Sequence, residues 1–280
     1  MTLERSGGVL RVASMRTIIA ASDLTPLSQE VVGRALSVAS RLGARVVLAH
    51  SVPPGAAPTA VEKARAALLQ ALDGRSAEVR VLAGPPEIAL RDLCRAEDGA
   101  LVVLGLHKFR RVMDVLGLTT MERIVLRAPV PVLIAHRPAT RPYRTVLSST
   151  DFAPACAAAL AAAADIAESG AEIHAIHALQ LGLRDKLSHG GVERSRAMTA
   201  AQALSQAFVT MPGVPALRYP PEIVPGGVHE VLSFRIEELQ PDLLAIGTHS
   251  GRDPETLGNY ARDLMREPPT DVVVAKPPTP

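Results

Sequence analysis

Two aspartates close two similar segments: Arg16–Asp23 reads RTIIAASD and Arg144–Asp151 reads RTVLSSTD. Each stands just ahead of a proline, Pro26 or Pro154, suited to a helix's first turn. A carboxylate there can accept a hydrogen bond from a ribose hydroxyl or a base. It can equally serve the helix start, where the N-terminal dipole favours negative charge. Two glycines, Gly105 and Gly247, end the apolar runs ALVVLG and DLLAIG. Glycine permits close backbone approach to a phosphate at a helix N-terminus. In the first half Thr119 and Glu122 have capping-box spacing. In the second half Gly258 precedes Asn259, which is expected to cap the following helix while its dipole faces an anion. Lys108, Arg110 and Arg111 form either a phosphate-binding group of charges or a solvated basic loop.

Catalytic constellations are missing. No GxSxG, HExxH, CxxC or GxxxxGK(S/T) occurs. His50 and His177 have no Ser or Cys partner in register and read as strand-end residues beside a base pocket, or as core histidines. His107 and His249 receive no acid–base role. Two cysteines, Cys94 and Cys156, exclude a disulfide scaffold and a multi-Cys zinc site. Lys+Arg 30 against Asp+Glu 28 is too balanced to imply nucleic-acid or membrane-surface binding, and with no Trp, 4 Phe and 3 Tyr base-stacking platforms are not expected.

The elements that must position these residues form a repeat. Val46–His50 (VVLAH) is answered by Ile173–His177 (IHAIH), Ala100–His107 by Asp242–His249, and Pro129–Ala135 (PVPVLIA) by Pro269–Ala275 (PTDVVVA). Four matched segments in one order, within 280 residues that are 48% apolar, mean two homologous halves. The junction is Arg137–Pro142, RPATRP, expected to be a surface linker. The domains are read as 15–138 and 143–280, with 1–14 a disordered extension ahead of a second candidate start at Met15. Strands are expected at Thr17–Ser22, Arg45–Ser51, Ala77–Leu82, Leu101–Gly105 and Val132–His136, then at Thr145–Thr150, Glu172–Ala178, Ala216–Ile223, Leu243–Gly247 and Val272–Ala275. Helical stretches alternate with them. Continuously apolar strands imply a parallel sheet covered on both faces, so each half is a doubly wound five-stranded α/β domain. Any ligand then sits at the strands' carboxyl ends. The fifth strand of each half is an exposed edge, and pairing the two edges makes an internal pseudo-dimer. No apolar run approaches the ~20 residues of a membrane span, and no signal peptide is read, so the cytoplasm is the expected compartment.

These residues resemble tandem universal stress protein domains, the UspA-like family of the adenine-nucleotide-binding α/β superfamily. The resemblance rests on the strand-one ending (S/T)-D, the strand-two endings at His50 and His177, the GxH of Gly105–His107 and Gly247–His249, and the A-P-x-P-V-L-I of Ala128–Ile134. It implies a stress-response protein binding an adenine nucleotide, ATP with Mg2+, in at least one domain, with a slow ATPase activity at most. It also implies the pseudo-dimer and leaves room for a homodimer. The family's phosphate motif, G-x2-G-x9-G-(S/T), falls on Gly105, Lys108, Leu118 and Thr119 in the first half, with two glycines lost and Gly117 one position early. It falls on Gly247, Ser250, Gly258 and Asn259 in the second, with Gly251 a stand-in for the second glycine. The implied nucleotide sites are therefore Asp151, Ala178, Ile246, Gly247, Ser250, Gly251, Gly258 and Asn259, favoured, and Asp23, Ser51, Gly105, Lys108 and Thr119, degenerate. The alternative is a protein that binds no nucleotide and acts through protein–protein contacts.

Overall fold

A computed structural model describes residues 17–97, 101–106, 118–180, 191–248 and 256–277. The first half runs β1 (Thr17–Ala21), α1 (Ser28–Leu42), β2 (Arg45–Val52), α2 (Pro58–Leu72), β3 (Glu78–Ala83), α3 (Pro86–Ala96), β4 (Leu101–Gly105), α4 (Thr120–Arg127) and β5 (Val132–Ala135). The second runs β6 (Thr145–Ser149), α5 (Pro154–Ile166), β7 (Glu172–Leu179), α6 (Gly191–Val209), β8 (Glu222–Pro225), α7 (Val228–Leu239), β9 (Leu243–Gly247), α8 (Asn259–Arg266) and β10 (Asp271–Ala275). All strands join one sheet in the order β3-β2-β1-β4-β5-β10-β9-β6-β7-β8. Pairing is parallel within each half and antiparallel between β5 and β10, where Val272, Val273 and Val274 face Ile134, Leu133 and Val132. The expected edge pairing is present.

Both faces are covered, as continuously apolar strands require. α1, α2, α5 and α6 pack on one face, and α3, α4, α7 and α8 on the other. Within each half the sheet order reverses beside the first strand, between β1 and β4 and between β6 and β9, which opens a crevice at the carboxyl ends. β8 departs from expectation. It starts at Glu222 because Pro220 and Pro221 lack the ladder's N–H donors, and Leu217 instead packs from a loop onto Phe208 and its neighbours.

Charged groups cross the seam between the halves. Arg34 of α1, 2% exposed, sets Nε 2.9 Å from Oδ2 of Asp271, 0% exposed. Its other nitrogens donate to the carbonyls of Arg141 and Pro138, and its guanidinium lies 4.5 Å from the Tyr143 ring centroid. Asp271 also accepts from the His136 and Arg137 amides at 2.8 Å and from the Tyr143 hydroxyl at 2.6 Å. The junction 137–142 is mostly at the surface, yet it is tied down rather than free. Arg41, at the end of α1, donates to the carbonyls of Asp165 and Ala167 at the end of α5, where carbonyls lack helical partners.

Candidate functional site

The loop after the first strand is built the same way twice. Asp23 Oδ1 accepts from the Thr25 amide at 3.0 Å and hydroxyl at 2.7 Å; Asp151 Oδ1 accepts from the Ala153 amide at 3.0 Å and the Cys156 thiol at 3.1 Å. Leu24 (φ 60°) and Phe152 (φ 67°) take the left-handed conformation that carries the chain back over the sheet. His50 Nδ1 lies 2.8 Å from the Ser22 carbonyl, and His177 Nδ1 lies 2.8 Å from that of Thr150. Both aspartates therefore hold their loops, and both histidines are tied to the loop in front of them.

A cavity of about 280 Å³ opens at the strand ends of the first half. That is close to the lower end of the ~300–1,000 Å³ usual for small-molecule sites. Leu27, Val31, Leu90, Leu104, Met121 and Ile124 make apolar walls, and Asp23, His50, Ser51 and Thr120 bring polar groups to it. Asp23, Ser51 and Gly105 of the expected first-half set are thus gathered around one space. Thr119 is not among its walls: its hydroxyl accepts from the Glu122 amide at 3.1 Å in the capping box. Lys108, Ser250 and Gly251 lie outside the described residues, as do Gly117, His107 and His249.

The cavity stands in the half that the motif count ranked second, and the packing of the two glycines accounts for it. A Cβ on Gly247 would meet the Ala155 Cβ at 2.9 Å and backbone atoms of Ala155 and Cys156 at 3.0 Å. A Cβ on Gly105 would meet Val31 Cγ2 alone, at 2.8 Å. Ala155 of α5 thus stands with its backbone against Gly247, whereas α1 meets Gly105 through the Val31 side chain. Ile246 belongs to the core, 3% exposed, and Ala178 is half-buried at the end of β7. Phe152 lies against His177, ring centroids 4.6 Å apart. The apolar walls carried no motif; setting the two halves side by side, Leu27 against Ala155 and Val31 against Ala159, is the signal that exposes them.

The helix mouths differ too. Glu122 is fully buried at the first turn of α4 and accepts from the Thr119 amide at 2.6 Å. Arg266 Nε lies 3.0 Å and Arg262 Nε 3.5 Å from its Oε1, both reaching across the seam from α8. α8 has Gly258 as its N-cap with no side-chain cap and no acid in its first turn. Asn259 does not cap it, contrary to expectation. It is already helical, so its side chain stands past the position from which a cap accepts.

Both thiols are buried. Burial pushes Cys94 up to about 12 and, with the charge of Asp151 beside it, Cys156 also up to about 12. Among the described residues no cluster of three His, Cys, Asp or Glu could hold a metal ion, and no helix is long and apolar enough to cross a membrane.

The model of the Universal stress protein family matches twice, over residues 15–136 and 142–276. The chain belongs to this family. Two solved structures share its fold across nearly the full length. A universal stress protein from Archaeoglobus fulgidus DSM 4304 is 17% identical with a TM-score of 0.65, covering 93% of this chain and 96% of that one. A putative universal stress protein from Pseudomonas aeruginosa UCBPP-PA14 is 18% identical with a TM-score of 0.62, covering 95% and 94%. Among curated proteins the chain has no match. As a universal stress protein with two domains in one chain, it carries its family's paired-domain arrangement within a single sheet.

Proposed function

We propose that this universal stress protein acts in a stress response by binding a nucleoside or nucleotide, adenine the expected base, in the first-half cavity. The carrying observation is that cavity: apolar walls fit for a flat ring, with Asp23, His50 and Ser51 at the strand ends to meet sugar hydroxyls. Gly105 lets the chain pass close beneath it. Asp151, Ala178, Gly247, Gly258 and Asn259 form a second candidate site, where the uncapped mouth of α8 favours an anion but α5 sits close on β9. The close packing of the second half supports the other reading, a protein that works through protein contacts.

Denaturing the purified protein and resolving its supernatant by anion exchange tests the proposal directly. An adenine compound is the expected release, and adenosine or ATP should give binding heat. Asp23→Ala should weaken that binding by about ten- to a hundred-fold, the worth of a hydrogen bond to a charged group. No release and no heat with either compound would favour the protein-contact reading.

A further inference from the structure

Two of the helices that wall the first-half cavity are anchored in the other half. α1 brings Leu27, Ser28 and Val31 to the wall, and Arg34, three residues after Val31, is its neighbour on the helix surface. α4 brings Thr120, Met121 and Ile124, and Glu122, which does not line the cavity, stands between the last two in sequence. Arg34 is 2% exposed and Glu122 fully buried. The described counter-charges of both come from the second half. Arg34 Nε lies 2.9 Å from Asp271, and Arg266 Nε lies 3.0 Å from the Glu122 carboxylate, with Arg262 at 3.5 Å. Lys276, just after β10, donates to the Leu126 carbonyl at 2.8 Å in the last turn of α4. Every residue that lines the cavity belongs to the first half.

We propose that Arg34 and Glu122 are positioning residues for the first-half ligand, so that the second half sets the spacing of a cavity it does not line. This rests on the nucleoside or nucleotide reading given above. Apolar packing is non-directional. It presses a helix onto the sheet without fixing where along the sheet the helix stands. A buried charge-assisted hydrogen bond has direction, and a shift of the helix leaves a charge uncompensated away from water. One such bond acts beside Val31 and one beside Met121, so each of these walls is held at one place.

The experiment is calorimetric titration of the full chain with adenosine and with ATP, on the parent, Asp23→Ala, Arg266→Ala and Arg41→Ala. Binding lost in Asp23→Ala marks the first-half cavity. Arg266 lies outside the cavity lining, and its removal loosens Glu122. Arg266→Ala should weaken the Asp23-sensitive binding by about two- to thirty-fold, the range for a residue that couples to a site without touching its ligand. Arg41 crosses the same seam from the far end of α1, to the carbonyls of Asp165 and Ala167. Arg41→Ala should lower Tm and leave the affinity as in the parent, since a merely structural contact moves Tm alone. Parent affinity in a folded Arg266→Ala, or equal losses in Arg266→Ala and Arg41→Ala, overturns the positioning role and leaves the nucleotide reading standing. No Asp23-sensitive binding in the parent sinks both. Amide hydrogen exchange of the parent decides the matter where Arg266→Ala does not fold. Saturation with the tighter of the two ligands should slow exchange in α8 more than in α2, which has no residue in the cavity wall. An equal gain in both helices, or none in α8, overturns the proposal.

Discussion

Each half answers its fourth-strand glycine with a different neighbour, and the two substitutions to alanine should separate accordingly. At Gly247 the new methyl meets helix backbone, which cannot rotate away. At Gly105 it meets one γ-methyl of Val31 and no backbone. Gly247→Ala should destabilise by about 1–3 kcal/mol, as overpacking does, and Gly105→Ala by less. Urea unfolding of both variants checks this, and equal losses would remove the packing account of the cavity. The thiols give a second test at this scale. Cys94 and Cys156 are held up to about 12 by burial, so in the folded state they stay protonated where unfolded thiols ionise. A folded pKa above the unfolded one stabilises fully at pH below the unfolded value, near ~8.5, and that contribution fades as pH rises toward the folded value. Stability should therefore fall between about pH 8.5 and 12, with the buried Tyr143 hydroxyl, itself pushed up, adding in the same sense at the upper end. Neither thiol should react with a disulfide reagent at pH 8 until denaturant is added. Prompt labelling of the native protein would contradict their burial.

At the scale of elements, Arg34 joins α1, the inter-domain segment and β10 through one guanidinium. Removing it leaves Asp271 buried with its charge uncompensated, which typically costs about 3–5 kcal/mol. Arg34→Met should lower stability by that amount in equilibrium unfolding; a loss under about 1 kcal/mol would show that the backbone amides alone hold Asp271. The sequence carried the elements well where one local pattern sufficed. β4 has the expected bounds, and the Thr119–Glu122 capping box is formed. β8 is shorter than its apolar pattern predicts because Pro220 and Pro221 lack the ladder's N–H donors. Asn259 lies one position past the cap, which is Gly258 and has no side chain to mark it.

For the whole molecule, the repeat and the edge argument made the ten-stranded sheet legible, since a second unpaired edge in one chain has an obvious partner. The site was legible only in part. Asp23 and Gly105 are marked by the repeat and Ser51 only by the family resemblance, but a cavity depends on how far a helix stands from a sheet, and motif spacing is silent on that distance. What faces the fourth-strand glycine differs between the halves, a Val31 side chain at Gly105 and the Ala155 backbone at Gly247.

The traffic of charge across the seam has a consequence for descent. Two copies of a single ancestral domain can meet along β5 only while each supplies both members of every pair. Here the members have been shared out. Arg34 and Glu122 are in one half, and Asp271, Arg262 and Arg266 are in the other. At the repeat-equivalent places of Arg34 and Glu122 the second half has Ala162 and Arg262. A second half meeting its own twin would bring Asp271 to Asp271 with no Arg34, and arginine to arginine with no Glu122. Fusion of the two domains thus works as a ratchet: once the partners were parted, splitting the gene would no longer return two self-sufficient proteins.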